Sequence, residues 1–387
     1  MKNNTDTYQD YLPWFTLKSV HGIGNYLFRK LIERFHHPKS VFEASQKELI
    51  QIKGISEELA NRILEIKISD AVKQDLELVA NHHYHIVTMT DPMYPPLLRQ
   101  IHDPPPFLYV YGNLSPLSQK ISVVGTRGPT SYGLNVSKSL VADLVKYPFV
   151  IVSGMARGID SSAHRAAISA HGETIAVLGC GLNCIYPQEN ESLYHQIAEH
   201  GAVISEFPVL APPEPYHFPL RNRIVSGLSY GTIVVEAAQK SGALITAMLA
   251  LEQGREVFAV PGNIFSPKSK GTHMLIKQGA KLVEKSQDVI DELNHLLSNS
   301  ESLPVTKESV RLSDAQLSQF SDVELQVIKA MEPYPLHIDD IYRKVQIASG
   351  TLAGILLKLE LQGLIVQTPG KMFNIKEAVS CQNLWLS

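Results

Sequence analysis

The most regular pattern of apolar and polar positions lies between residues 120 and 285. Short apolar runs, each the length of a buried strand, recur there, and most are separated by amphipathic stretches of helical length. Strands that alternate with helices predict right-handed crossovers and a parallel sheet covered on both faces. The predicted strands are ISVVG (121–125), FVIVSG (149–154), ETIAVLG (173–179), AVISEF (202–207), GTIVVEA (231–237), EVFAVPG (256–262) and AKLVEK (280–285).

Residues 1–85, which precede this region, have a helical pattern. Apolar residues recur at helical spacing and are interrupted by HGIG (21–24) and KGIS (53–56), which predicts a helical domain of the helix-hairpin-helix or SAM-like type. The turn N–H groups of such hairpins can hold a DNA phosphate. The alternative is that the glycines only make tight turns. The charges around the second turn are mixed, whereas phosphate binding needs nearby cations.

The sheet domain is predicted over residues 86–293 and begins with a proline-rich stretch. Because proline excludes a long helix, we expect a strand, an irregular linker and a second strand in residues 86–118. Residues 294–320 are polar and serine-rich, which is typical of a linker.

Residues 321–387 show three helical patterns and then short strands around LIVQT and MFNI, which predicts a winged helix. Its third helix has Lys358 as its only cation, so a protein-contact or packing role is favoured over groove reading. The predicted fold class is therefore α/β, an extended Rossmann-type parallel sheet between a helical domain and a winged helix.

Length, charge and composition limit the possible domain organisation and functions. A chain of 387 residues is too long for one ordinary core, and a net charge of -3 does not indicate a generally basic protein, so any anion site must be local. The polar start MKNNTDTYQD and the lack of a long apolar run predict a cytoplasmic protein without membrane contact. Neither Cys180 with Cys184 nor the HHYH run (82–85) has further ligands nearby, so we expect no metal and no cofactor.

Three glycine-rich loops follow the first three strands of the main pattern, and each opens a helix. They are GTRGPTSYG, SGMARGIDSSAH and GCGLNCIYPQEN. Ligands of parallel sheets bind beyond the carboxyl ends of the strands, where N–H groups of helix starts favour anions. Arg127 and Arg157 can add bidentate contacts, and Arg221, Asn222 and Arg223 precede the fifth strand of the pattern, GTIVVEA. Because these loops and arginines are expected at the same edge of the sheet, together they predict a site for phosphates.

Several residues of these segments have two interpretations. Asp160 and His164 stand four apart, either as an acid–base pair or as a helix cap and its support, and we favour the latter. Glu236 is a catalytic carboxylate or a helix N-terminal acceptor, and the sequence does not decide. Phe218, beside arginines, stacks on bases or packs internally.

Ser241 and Thr246, in SGALIT, could donate hydrogen bonds to a phosphate or cap the following helix. The complete set of candidate binding residues is Gly125, Thr126, Arg127, Ser153, Gly154, Arg157, Gly158, Gly179, Gly181, Phe218, Arg221, Asn222, Arg223, Ser241 and Thr246.

These motifs, together with MYPPLLRQIHDPPPFLYVYG, ISEFP, FPLRNRIVSGLS, VVEAAQKSGALITA and GREVFAVPGNIFSPKSKGTHMLIKQGA, resemble those of the DprA (Smf) family of bacterial DNA-processing proteins. The resemblance covers residues 93–285 and implies a dimeric protein that binds single-stranded DNA and has no known catalytic reaction. It further implies a recombination mediator that protects incoming DNA and helps load RecA during natural transformation. The phosphate pocket that it implies comprises Gly125, Thr126, Arg127, Ser153, Gly154, Arg221, Asn222 and Arg223.

Two other functions remain as alternatives. GTIVVE (231–236) faintly resembles the GTxxE segment of phosphoribohydrolases, which share a related fold, and there Glu236 would help cleave an N-glycosidic bond. The sequence departs from that pattern, because GLSYGT stands where a PGGxGT loop belongs. A transcription regulator acting through the winged helix is the third possibility, and the shortage of cations in its third helix argues against it.

Overall fold

The computed structural model describes two compact units. The first comprises residues 10–297 without 116, 117 and 148, and the second comprises residues 320–331, 336–345, 347–361, 364–368 and 372–375. Residues 298–319, most of the predicted linker, lie outside the described residues, as does Cys381.

The described chain begins with helices, as predicted for residues 1–85. They are α1 (Leu12–Ser19), α2 (Asn25–Phe35), α3 (Pro38–Glu43), α4 (Gln46–Ile50), α5 (Glu57–Glu65) and α6 (Asp70–Asn81). Gly22 and Gly54, in the two predicted hairpin turns, have φ values of +100° and +105°, a region that favours glycine. Ser56 caps α5 by accepting a hydrogen bond from the N–H of Leu59 at 3.2 Å.

A nine-stranded sheet follows, and it includes all seven strands predicted from the main pattern. The strands are β1 (His85–Thr88), β2 (Phe107–Gly112), β3 (Gln119–Val124), β4 (Phe149–Ser153), β5 (Thr174–Val177), β6 (Gly201–Ser205), β7 (Gly231–Val234), β8 (Glu256–Ala259) and β9 (Lys281–Leu282). Their order is β1-β2-β6-β5-β4-β3-β7-β8-β9.

The two strands predicted in the proline-rich stretch are β1 and β2, and they extend the sheet in antiparallel fashion. β1 pairs antiparallel with β2, and β2 pairs antiparallel with β6, whereas the pairs from β6 to β9 are parallel. Among the parallel strands, β3 lies between β4 and β7, so the chain winds outward from β3 in both directions. This is the topological switch point of a doubly wound sheet, where such folds bind ligands.

Helices connect these strands and cover both faces of the sheet. They are α7 (Pro96–Gln100), α8 (Ser131–Lys146), α9 (Ile159–Ser169), α10 (Glu191–Glu199), α11 (His217–Gly227), α12 (Gly242–Glu252), α13 (Lys270–Lys277) and α14 (Ser286–Leu297), with 3-10 turns at Gln188–Asn190 and Pro267–Ser269. Helix α14 extends past residue 294, where the sequence predicts the linker to begin.

Side chains of β3, β4, β7 and β8 alternate between two apolar clusters, whereas the buried apolar side chains of β5 and β6 all belong to one of them. Ile121 and Val123 of β3 pack with α8, α9 and α14, whereas Val124 packs on the opposite face. That second cluster is continuous with the N-terminal helices. The rings of Phe15 and Phe107, for example, stack at 4.3 Å between centroids. One of the two clusters therefore crosses the predicted boundary at residue 85.

The second unit has the elements of the predicted winged helix. They are α15 (Asp322–Ala330), β10 (Leu336–His337), α16 (Ile338–Val345), α17 (Ser349–Leu361), β11 (Ile365–Thr368) and β12 (Met372–Ile375). Lys358, the cation of the third helix, pairs with Glu324 of the first at 2.6 Å. No helix in the described part of the chain is long and apolar enough to cross a bilayer.

Replacing Gly112 tests the junction between β2 and β6. Its φ of +98° disfavours a side chain, and an added Cβ would lie 2.5 Å from the carbonyl oxygen of Ala198. We expect Gly112→Ala to destabilise the sheet domain by at least about 2 kcal/mol, seen as a thermal midpoint lower by about 4 °C or more. Gly128→Ala is the matched control, because its Cβ would meet nothing within 4 Å. Equal midpoints for the two variants would contradict this description.

Candidate functional site

A cleft of about 690 Å³ lies at the carboxyl ends of β3, β4 and β7, at the switch point. Its walls come from the loops that follow these strands, from α11 and from the start of α12. The predicted binding residues that line it are Gly125, Thr126, Arg127, Gly154, Phe218, Arg221, Asn222, Ser241 and Thr246. The structure thus brings most of the candidate set together in one place.

Arg221 forms the inner wall of the cleft. Only 4% of it is exposed, and its Nη1 donates hydrogen bonds to the carbonyl oxygens of Gly154, at 2.7 Å, and of Val177. Glycine is required at position 154, because a Cβ there would lie 2.5 Å from the same nitrogen. Two strand ends therefore fix the guanidinium in place.

Asp160 is the buried anion beside Arg221. The backbone N–H groups of Gly125, Gly154 and Ala156 hydrogen-bond its carboxylate. Burial raises its pKa to about 6, although the charge of Arg221 and these hydrogen bonds act in the opposite direction. The expectation that the N–H groups of these glycine loops point outward to a ligand is wrong for Gly125 and Gly154, because an internal carboxylate already accepts them.

His164 lies one turn further along α9 and is fully buried. Its Nδ1 is 2.7 Å from the hydroxyl of Thr174, and burial lowers its pKa to about 3, so the ring is neutral. It does not line the cleft. Asp160 and His164 are therefore structural, which is the interpretation that the sequence favours over an acid–base pair.

Arg127 and Phe218 form a cationic and aromatic platform at the cleft. The guanidinium carbon of Arg127 lies 5.6 Å from the centroid of the Phe218 ring. Tyr186, whose exposed fraction is 45%, tilts against the same ring at 5.6 Å between centroids. Gly179 lies behind this ring, since a Cβ there would be 2.8 Å from Cδ1 of Phe218. Tyr186 escaped prediction, although it lies in the third glycine loop.

Lys240 is a second cation of the cleft that sequence reasoning missed. It lies in the loop after β7, immediately before Ser241. From the sequence, candidates are selected in the SGALIT motif that follows, and Lys240 is not among them. Ser241 caps α12 by accepting a hydrogen bond from the N–H of Ala243 at 3.3 Å, and it also lines the cleft. Thr246 follows on the same helix, with 2% exposed.

Six predicted residues do not line the cleft. Ser153 donates to the carbonyl of Val123 at 2.6 Å, and Arg157 forms a bidentate ion pair with Glu189. Gly158, at a φ of +83°, is an element of the turn into α9. The complete set outside the cleft is Ser153, Arg157, Gly158, Gly179, Gly181 and Arg223.

Gly181 does not line the cleft, and close backbone packing explains why a glycine stands there. Its N–H donates to the carbonyl of Ala211 at 2.9 Å, and a Cβ at this position would lie 2.5 Å from the carbonyl carbon of Val209. The third glycine loop therefore supports the cleft through Gly179 and Tyr186.

Arg223 is the clearest correction to the predicted site. It pairs with Asp103, at 3.0 Å, and with Glu206, and Asn25 of α2 also donates to Glu206 at 3.3 Å. The physical reason is helical geometry: Arg221 and Arg223 lie inside α11, where residues two apart face opposite sides. Arg223 therefore joins the N-terminal helices to the sheet domain.

Glu236 has a structural role at the start of α8. Its carboxylate accepts hydrogen bonds from the backbone N–H of Thr130, at 2.9 Å, and from the hydroxyl of the same residue. It is 3% exposed and does not line the cleft. The helix-acceptor interpretation holds, and the residue that a phosphoribohydrolase would need is not available to a ligand.

Sequence profiles identify the family. The profile of DNA recombination-mediator protein A matches residues 85–294, more than half of the chain. The chain belongs to the DNA recombination-mediator protein A (DprA) family. Profiles of the DprA winged helix domain and of the SAM-like helix-hairpin-helix tandem match residues 312–371 and 16–66, which confirms both flanking assignments.

Relatives of the DprA family cover much of the chain. Protein Smf of Escherichia coli is 38% identical over 85% of this chain and 87% of its own, and DNA processing protein DprA of Bacillus subtilis is 48% identical over 54% and 70%. The crystal structure of DprA from Streptococcus pneumoniae aligns with a TM-score of 0.64 at 36% identity, over 72% of this chain and 96% of that one.

A structure of DNA processing protein A from Helicobacter pylori, described for its single-stranded DNA binding mode, aligns with a TM-score of 0.50. The identity is 31%, over 56% of this chain and 97% of that one.

Arg223→Ala should unfold more readily than Arg127→Ala. The first change leaves the partly buried Glu206 without its cation, a loss that typically costs about 3 kcal/mol or more, whereas Arg127 makes no ion pair with a described residue. Urea unfolding of both variants measures the difference. If the two midpoints are equal, Arg223 does not hold the helical region to the sheet.

Asp160→Asn should change how stability depends on pH. Because the folded-state pKa of Asp160 is raised from 3.8 to about 6, its contribution is fully present below 3.8 and is lost as the pH rises through 6. Between pH 5 and pH 7 we expect the wild type to lose about 1 kcal/mol relative to the variant. Urea titrations at both pH values measure this, and parallel pH profiles would refute the assignment.

Proposed function

We propose that this chain binds single-stranded DNA in the cleft at the switch point of its sheet. The observation that carries the proposal is the combination, in one concave site, of Arg127 against the Phe218 ring with Lys240 on the facing loop. Cations along a groove hold a phosphate backbone, while aromatic faces stack on bases of any sequence. Membership in the DprA family, and the relative from Helicobacter pylori described for binding single-stranded DNA, support the same function.

The charges of the cleft favour binding of DNA phosphates at its rim. The inner guanidinium of Arg221 is bound by two carbonyls and faces Asp160, so its charge is largely compensated. Arg127 and Lys240 make no ion pair with a described residue and keep their charge for a phosphate. The phosphates of a bound strand would therefore lie along the rim, against these two cations. Because the cleft has no groove-reading helix, we expect little sequence specificity.

We further propose that the protein acts as a recombination mediator in the cytoplasm. In this role it protects incoming single strands and helps load RecA during natural transformation, as a homodimer and without a catalytic reaction. The family assignment supports the mediator role. A dimer with two clefts would hold two segments of one strand and gain avidity.

Arg127→Ala should weaken binding of a labelled oligothymidylate and reduce its salt dependence. Loss of one phosphate contact lowers the slope of log K against log salt by about 0.7 for single strands. Fluorescence anisotropy across a salt series measures both quantities. Arg157→Ala is the matched control, because this arginine is neutralised by Glu189 outside the cleft.

Phe218→Ala should cost about 1–3 kcal/mol of binding with little change in the salt slope, since stacking carries no charge. The proposal fails if Arg127→Ala and Phe218→Ala both bind like the wild type. It also fails if a duplex of the same length binds as tightly as the single strand, because paired bases cannot stack on the ring.

A further inference from the structure

The loop of residues 262–270, which joins β8 to α13 and is taken to include the 3-10 turn and the first residue of that helix, exposes two large apolar side chains to solvent. Ile264 is 72% exposed and Phe265 is 85% exposed, the highest values for large apolar residues in the described part of the chain. Neighbouring exposed apolar side chains of this size are a feature of interaction sites. Neither side chain is used by the cleft described above.

The segment of the chain that contains this loop has acidic residues at none of its positions. Residues 257–283 contain no aspartate or glutamate, although the whole chain has a net charge of -3. Within this segment, Lys268 and Lys270 make no ion pair with any described residue, and Nζ of Lys268 donates only to the carbonyl oxygen of Gly128. An exposed aromatic beside unpaired lysines is the combination that binds single-stranded nucleic acid.

The loop borders the cleft through two contacts. Gly128, which accepts the hydrogen bond of Lys268, directly follows Arg127 of the cleft wall. On the other side, the N–H of Ala237 donates to the carbonyl of Lys268 at 2.8 Å, and the next residue, Ala238, lines the cleft. A strand that leaves the cleft between these walls meets the loop next.

We propose that the loop of residues 262–270 is a second contact site for single-stranded DNA, where Phe265 stacks on a base and Lys268 and Lys270 hold phosphates. This inference rests on the proposed function, because it continues the path of the strand out of the cleft. The loop extends the binding site beyond the length of DNA that the cleft can enclose. Strands too short to reach it are held by the cleft alone.

The charges favour a polyanion over a second copy of this chain. In a two-fold contact the same surface faces itself, so Lys270 of each copy would approach unpaired cations of the other. Like charges without acidic partners oppose such a contact, whereas a phosphate backbone neutralises them.

The test compares two lengths of oligothymidylate, about 6 and about 20 nucleotides, which span the range of common single-strand sites. Fluorescence anisotropy is measured on the full chain with Phe265→Ala, Phe265→Trp, and Lys268→Ala combined with Lys270→Ala. Leu357→Ala, at an apolar residue of α17 that is 57% exposed, is the control.

We expect Phe265→Ala to bind the long strand at least about 5-fold more weakly and the short strand like the wild type. Phe265→Trp should restore long-strand affinity, and the double lysine variant should lower the long-strand salt slope by about 1.4.

Unchanged binding of both lengths by Phe265→Ala overturns the inference and leaves the cleft intact. A changed mass in light scattering with unchanged affinities would make the loop a contact between copies, which also overturns it. A wild type that binds neither length refutes the proposed function, and this inference with it.

Discussion

The buried pair of Arg221 and Asp160 is the interaction on which the candidate site depends. The carboxylate gathers the N–H groups of two glycine loops, and the guanidinium binds the carbonyls at two strand ends. Neither charge would be tolerated alone in this position, because a buried ion without its partner is strongly destabilising. Together they fix the loops after β3 and β4 without a ligand, so the cleft is formed in advance.

Because Arg221 and Asp160 face each other and are bound to the loops, we expect other groups of the cleft to bind the ligand. Arg127, Lys240 and the rings of Phe218 and Tyr186 stand at its rim, where charge and aromatic surface are available. Preorganised sites avoid part of the entropy cost of ordering on binding. The same edge of the sheet continues to the loop that carries Phe265, so one side of the molecule concentrates the features that suit a flexible polyanion.

Much of the fold could be predicted from the sequence, because buried parallel strands form short apolar runs that local pattern reveals. All seven strands of the main pattern are present in the sheet, and the glycine loops after β3 and β4 lie at the edge that holds the cleft. The antiparallel pairing of β1 and β2 could not be predicted, since proline-rich strands have no such pattern and their partner, β6, lies far along the chain. The binding roles of the individual residues remain predictions.

The errors within the site have one cause, which is that proximity along the chain is not proximity in space. Arg221 and Arg223 look like one cluster in RNR but face opposite sides of α11. Conversely, Tyr186 and Phe218 are far apart in sequence and touch in the structure. From the sequence we expect the backbone N–H groups of Gly125 and Gly154 to bind a ligand. The sequence does not reveal that the carboxylate of Asp160 accepts hydrogen bonds from both.

The most direct test of the account is photocrosslinking of the full chain to an oligonucleotide that carries 4-thiothymidine, followed by mass spectrometry of the crosslinked peptides. The account predicts crosslinks to the peptides that contain Tyr186 and Phe218, which lie at the cleft. Crosslinks confined to the hairpin turns near Gly22 and Gly54, or to α17 of the winged helix, would contradict it.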